Sequence, residues 1–428
     1  MPHRLRPLAV TSLVALAGLL AMPTPASSAL PRASHTDRPA TSVAGRHSRA
    51  LSSLAAAVRR SIGGSTARHV DYRIVISGLG TISHDASHPT PPASNEKLFT
   101  VITLMDLVGP EFRYATKIYG TAPIVDHTVS GDLVVVGSGD PTLTIANLRE
   151  LAKRLHAKGL RHVTGHLIVD DTRYSHTTRV AGWKRKFVPG QSRTVDAFTV
   201  DENQWRAGAS FERDPTPYNA ALFRKALRKS HITVAHVTRV EGAPGGLHTL
   251  AIHHSPDLAA ITDATLTDSI NFNAEMMLRE AGAQLSGHGT PATGVAAVRA
   301  VATALGLPFG IDHDGSGLSY ADRESPATIV AWLTKLTTLS FYSRVYFALP
   351  LSCETGTLEG RMCGRHVRGR VRAKTGTLDH NTALSGYTTT LSGHRVTFSF
   401  LLSGFKDRRF TRVMGHVNAA VETTVRKG

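Results

Sequence analysis

Two cysteines in 428 residues, Cys353 and Cys363, exclude a disulfide-dense scaffold and any cysteine-rich zinc module. In an oxidising compartment the pair can close one small loop, and a disulfide between them is the expectation. Histidine is plentiful at 22 residues, yet no H-E-x-x-H or comparable spacing occurs, so neither a metal nor a cofactor is called for. Beyond the N-terminus no apolar run approaches the roughly 18 residues of a membrane span, so no transmembrane helix is expected once a leader is removed. Acidic residues are scarce, 32 against 49 lysines and arginines, leaving a formal charge of +17. That excess suits residence near an anionic polymer such as a cell wall or membrane surface. Lys and Arg are scattered, without a basic helix or an aromatic-basic alternation, which argues against nucleic acid as the partner.

Residues 1–29 read as a secretory signal: Arg4 and Arg6 precede an apolar run from Leu8 to Met22, and small residues around Ala26 and Ala29 supply a cleavage site. Export follows, to an extracytoplasmic place in the cell wall or the medium. Residues 30–47 form a polar leader rich in Pro, Ser, Thr and Arg. The rest exceeds what one simple core usually holds, so two domains are expected.

The informative stretch is Pro91-Pro92-Ala93-Ser94-Asn95-Glu96-Lys97-Leu98. Two prolines fix an extended approach. From Leu98 the apolar residues Val101, Ile102, Met105 and Val108 recur at helical intervals until Gly109-Pro110 stops them. Ser94 therefore falls at a helix N-terminus with Lys97 three positions on, sharing its face. A serine hydroxyl is a poor nucleophile until a neighbour takes its proton, and an amine does so only when burial lowers its pKa. Taken alone, Ser-x-x-Lys is equally an N-cap serine beside a solvated lysine.

Downstream, the texture changes. Strands and turns are expected at 116–119, 131–143 and 166–169 and strands at 195–200 and 232–240, with helices at 145–158 and 218–229, and a linker at Gly242-Ala243-Pro244-Gly245-Gly246. Residues 110–249 hold no nucleophile and base of their own and read as a domain inserted between 48–109 and 250–428. Longer elements then return: helices at 272–283, 293–305, 325–339 and 407–425, and three strands at 371–377, 381–391 and 394–402 with a hairpin turn at Ser392-Gly393.

Two further short motifs accompany the first: Ser269-Ile270-Asn271 before a helix, and Lys374-Thr375-Gly376-Thr377 ending an alternating strand. On an edge strand, Gly376 would leave room for a ligand backbone. Ser-x-x-Lys, Ser-x-Asn and Lys-Thr-Gly in this order mark serine enzymes that acylate on penicillin or a D-alanyl peptide. Together with Gly131-Asp132-Leu133, Asp140-Pro141-Thr142-Leu143, Asp314-Gly315-Ser316-Gly317-Leu318-Ser319, Gly356-Thr357-Leu358 and Leu384-Ser385-Gly386-Tyr387, they make the chain resemble the D-alanyl-D-alanine carboxypeptidase/endopeptidase family of class C penicillin-binding proteins, peptidase family S13.

The resemblance implies an α+β fold, a penicillin-binding-protein/β-lactamase-like transpeptidase domain with an antiparallel sheet flanked by helices, plus a mixed α/β inserted domain. It implies Ser94 as nucleophile, Lys97 as its base, and Ser269 as a proton relay beside Lys374. Asn271 would hold the substrate amide. Lys374, Thr375 and Thr377 would hold the terminal carboxylate, Gly376 would be a further substrate-binding position, and the Ser94 and Thr377 amides would form the oxyanion hole. Substrates would be peptidoglycan stem peptides, and β-lactams inhibitors. Two departures stand out: Ile270 sits where the family often has Asp, and Cys353 and Thr355 replace the usual residues before Gly356. A β-lactamase, needing a carboxylate such as Glu202 or Glu275 at the ester, and an inactive wall-binding homologue are the competing readings.

Overall fold

A computed structural model describes residues 43–176, 180–206, 209–210, 214–236 and 238–428. The expected signal segment and the leader up to residue 42 lie outside the described residues. Residues 43–47 begin the first helix, α1 (Val43–Ile62), instead of continuing the leader. Strands β1 (His69–Ile76) and β2 (Gly80–His84) follow, and a single 3-10 turn, Ala93–Asn95, leads into α2 (Glu96–Val108).

The next stretch contains β3 (Ala115–Gly120), β4 (Ile124–Val125), β5 (Thr128–Val129), β6 (Leu133–Val136), α3 (Ile145–Ala157), β7 (His162–Val163) and β8 (Leu167–Asp170). It continues with α4 (Phe187–Gly190), β9 (Gln204–Arg206), β10 (Ala209–Ser210), α5 (Thr216–Lys229), β11 (Thr233–Val234), β12 (Thr238–Val240) and β13 (His248–His254). Helices α6 (Leu258–Thr267), α7 (Asn271–Ser286), α8 (Pro291–Leu305), α9 (Pro326–Leu336) and α10 (Tyr342–Ala348) precede β14 (Arg372–Leu378), β15 (Asn381–Thr389), β16 (Arg395–Ser403) and the closing α11 (Phe410–Lys427).

β1, β2 and β14 to β16 form one antiparallel sheet in the order β14-β15-β16-β1-β2, so chain ends far apart in sequence meet along β1 and β16, paired from His69↔Ser403 to Ile76↔Val396. Alternation decides its two faces. Ile74, Phe398, Phe400 and Leu402 point to α1 and α11 and pack with Leu54, Val58, Val417 and Val421. Ala383, Tyr387 and Leu401 point the other way, into a helical core with Leu98, Val101, Ile102, Met277, Leu278 and Trp332. The helix carrying Lys97 is thus pinned by its apolar stripe beneath the sheet, each such side chain contributing about 1.5–3 kcal/mol on burial. This is the α+β, antiparallel-sheet architecture that the family resemblance implies.

A second, mixed sheet has the order β12-β8-β6-β3-β13, with β6, β8 and β12 parallel and β3 and β13 antiparallel. Its outer strand β13 runs to His254, five residues past the expected end of the insert at 249. The 195–200 segment is not a strand, contrary to expectation. Its apolar residues Val195, Ala197, Phe198 and Val200 are buried all the same, because the segment crosses the core against Gly137 and Gly139 without pairing in a sheet. The single strand expected at 232–240 is two, β11 and β12, in different sheets.

Candidate active site

Ser94 lies in the 3-10 turn where Pro92 delivers the chain to α2. Its predecessor Ala93 is held at φ +48, a left-handed conformation costing about 1–3 kcal/mol in a non-glycine residue. Gly317 fixes that turn from outside: at φ +77 it packs so closely that a methyl group there would lie 1.9 Å from the Ala93 carbonyl oxygen. Ser269, just before α7, is also left-handed, at φ +60. Two of the expected site serines are thus set on or beside strained backbone over-determined by its surroundings.

Lys97 is fully buried and donates to three acceptors: Ser94 Oγ at 3.1 Å, Asn271 Oδ1 at 2.7 Å and the Ser316 carbonyl at 2.7 Å. An ammonium has three donors, and all are directed. Burial lowers the amine to about 8, against the opposing pull of Asp314, Glu275 and Glu96. Lys374, also fully buried, donates to Ser269 Oγ at 2.8 Å and to the Thr375 carbonyl at 3.1 Å. Burial, then the Lys97 charge, hold it well below its ordinary value. The two lysine-serine pairs, Ser94/Lys97 and Ser269/Lys374, therefore sit close enough for the Lys97 charge to depress Lys374.

Lys374, Thr375, Gly376 and Thr377 lie on β14, which is an edge strand; Thr377 is exposed along it. Gly376 has a different reason from the one expected. A methyl group there would meet the Pro92 carbonyl and Asn95 Nδ2, each at 2.9 Å, so the glycine lets the strand lie against the turn that carries Ser94. Thr375 Oγ1 donates to Thr357 Oγ1 at 2.7 Å, inside the loop that the Cys353–Cys363 disulfide closes. Asn271 Nδ2 donates to the Gln191 carbonyl at 2.8 Å, from the loop after β8. All the site residues named from the sequence meet around one turn, one helix start and one strand edge.

Behind the site is a carboxylate layer, of which the sequence motifs contained Glu96 and Asp314 but not Asp312, Asp322 or Glu324. Glu275 is fully buried; its Oε1 accepts from the Gly315 and Ser316 amides at 3.0 and 2.9 Å, and its Oε2 from Arg279 Nη1 at 3.0 Å. It thereby orients the Ser316 carbonyl that receives Lys97. Asp314 caps the same turn, accepting from the Gly317 and Ser319 amides and from Trp183 Nε1. Glu96, Asp312, Asp322 and Glu324 gather nearby, all buried. Desolvation and mutual repulsion raise each of them: Asp312 to about 7, Glu324 to about 8, Asp322 to about 11 and Glu96 well above the usual range. Proximity along α7 made Glu275 visible; the carboxylates at 312, 322 and 324 carry no periodic signal. Neither carboxylate expected of a β-lactamase stands free: Glu275 is committed as described, and Glu202 pairs with Arg193.

Fold and site together define the penicillin-binding class. The structure superposes on penicillin-binding protein 4 (dacB) of Haemophilus influenzae with a TM-score of 0.78 at 20% identity, over 87% of this chain and 99% of that one. It also superposes on Bd3459, a predatory peptidoglycan endopeptidase of Bdellovibrio bacteriovorus, with a TM-score of 0.54 at 16% identity, over 83% and 90%. A family model matches residues 72–211 and 209–422, and the chain belongs to the D-Ala-D-Ala carboxypeptidase 3 (S13) family. Among its relatives are the D-alanyl-D-alanine carboxypeptidase of Actinomadura sp. (strain R39), 26% identical over 73% of each chain, and carboxypeptidase DacB of Mycolicibacterium smegmatis, 28% identical over 73% of this chain and 71% of that one.

Proposed function

We propose that the protein is a serine D-Ala-D-Ala carboxypeptidase/endopeptidase acting on peptidoglycan stem peptides outside the cell membrane, and that β-lactams acylate and inhibit it. The observation that carries this is the buried Lys97 amine, lowered to about 8, in contact with Ser94 Oγ. In the reaction, Ser94 Oγ attacks the carbonyl of the penultimate D-alanine while its proton passes to neutral Lys97. The Ser94 and Thr377 amides stabilise the oxyanion; losing one such donor typically costs about 100–1,000-fold. The bond to the terminal D-alanine nitrogen then breaks, and Ser269, beside Lys374, supplies the proton that nitrogen needs. Lys374, Thr375 and Thr377 hold the terminal carboxylate. Asn271 holds the substrate amide, whose carbonyl would take the place of the Gln191 carbonyl. Water hydrolyses the ester and restores Ser94.

The positive charge supports an anionic wall polymer as a further partner. The functional test is D-alanine release from a pentapeptide together with covalent labelling by a fluorescent penicillin. Wild type should do both and Ser94→Ala neither; rapid multiple turnover of nitrocefin by the wild type would overturn the assignment.

A further inference from the structure

The mixed sheet carries α3 and α5 on one face. β6, β8 and β12 are parallel neighbours, and two successive right-handed crossovers in the same direction bring both helices to the same side. Their apolar residues, Leu148, Leu151 and Leu155 from α3 and Phe223 and Leu227 from α5, enter one core against Val135, Leu167 and Val169. The opposite sides of both helices therefore form one continuous outer surface.

That surface is cationic. Arg149 and Lys153 on α3 and Lys225, Arg228 and Lys229 on α5 are all exposed. Glu150 is the one acidic residue in either helix. Among the described residues, none of the five cations belongs to an ion pair. Arg149 and Lys153 are one helical turn apart, as are Lys225 and Lys229, giving positive charges at intervals of about 6 Å along two adjacent tracks. A groove of about 440 Å³ beside α5, lined by Ala221, Arg224, Lys225, Arg228, Ile232 and Thr233, borders the same surface. Five unpaired like charges on touching helices repel one another, and a polyanion relieves that repulsion.

We propose that this α3/α5 face docks a linear phosphodiester polymer of the cell wall, built from polyol units. Phosphodiesters stay singly charged at every relevant pH and repeat along a chain, matching the two rows of cations. The face offers no exposed Phe, Tyr or Trp among these cations for base stacking, which disfavours nucleic acid. The face is made by the segment we read as the inserted domain, apart from Ser94, Lys97 and the strand β14, so docking would hold the enzyme at the wall while leaving its cleft free. The choice of a wall polymer rests on the proposed function; the existence of a polyanion face does not.

The test uses the whole chain and measures binding to polyglycerol phosphate by anisotropy over a range of salt. The variant Arg149→Glu/Lys153→Glu/Lys225→Glu/Arg228→Glu should bind at least tenfold more weakly with a shallower salt dependence. A control with the same change in net charge, Lys406→Glu/Arg412→Glu/Arg426→Glu/Lys427→Glu, should bind within a few-fold of wild type. Both should keep wild-type penicillin labelling, which separates failure of docking from failure of the catalytic assignment. Equal loss in both variants would mean net charge alone acts and would overturn the proposal, as would equal or tighter binding of duplex DNA. If the glutamate variant does not fold, the four-glutamine version must show the same loss.

Discussion

Asp322 offers the sharpest test of the carboxylate layer. Its Oδ1 accepts from the His313 amide at 2.9 Å, its Oδ2 has no partner, and burial with repulsion from Asp314 and Asp312 pushes the carboxyl up to about 11. The folded protein then carries a proton there at neutral pH, while the unfolded chain releases it near pH 4. The sign follows: from about pH 4 upward the folded state binds one more proton than the unfolded state, so stability falls as pH rises, by about 1.4 kcal/mol per pH unit for this group. Asp322→Asn removes the titration and keeps the Oδ1 acceptor. The gap between variant and wild type should therefore widen in favour of the variant, by about 4 kcal/mol between pH 5 and pH 8. Titrating groups remote from Asp322 contribute to both proteins and drop out of the difference. Urea unfolding followed by tryptophan fluorescence at four pH values measures it. Parallel stability curves for the two proteins would show that Asp322 is ionised in the fold and that the account of the layer is wrong.

Lys97→Ala and Lys374→Ala should each slow acylation by about 100–10,000-fold while thermal unfolding stays cooperative; near-normal penicillin labelling in either would reassign that lysine. With neutral Lys97 as the proposed proton acceptor, wild-type acylation should climb with pH and level off above about 8. Glu275→Gln removes a charge that raises Lys97, so the inflection should move to lower pH, a shift that loss of packing alone would not produce. Gly376→Ala should push β14 away from the Ser94 turn and abolish labelling with little change in secondary structure by circular dichroism. Cys353→Ser should cost about 3 kcal/mol, the loop-closure value for a ten-residue separation.

What was legible in the sequence follows from what kind of signal each feature leaves. Ser94 and Lys97 were readable as a pair because three-residue spacing at a helix start puts them on one face, while Ser269, Asn271 and Lys374 entered only through the resemblance that the three motifs carry together. Helix α2 was readable because one of its faces is uniformly apolar. Strand 195–200 was misread because burial by crossing a core and burial within a sheet leave the same run of apolar residues. Helix α6 was not read at all: Leu258, Ile261, Thr262, Thr265 and Leu266 are its buried residues, and two threonines break the apolar pattern. The carboxylates at 96, 312, 322 and 324 look like ordinary surface charge until the fold removes them from water. Gly376 was placed correctly, but the group it accommodates, the Pro92 carbonyl, lies far away in the chain.

The hydrogen bond from Asn271 to the Gln191 carbonyl has a bearing on recognition. The resting protein already seats a piece of its own backbone where, on the proposed function, a peptide ligand would be grasped. On that proposal a ligand would exchange one carbonyl for another at Asn271, so the contact would add little net affinity, and selectivity would come from the carboxylate end of the ligand.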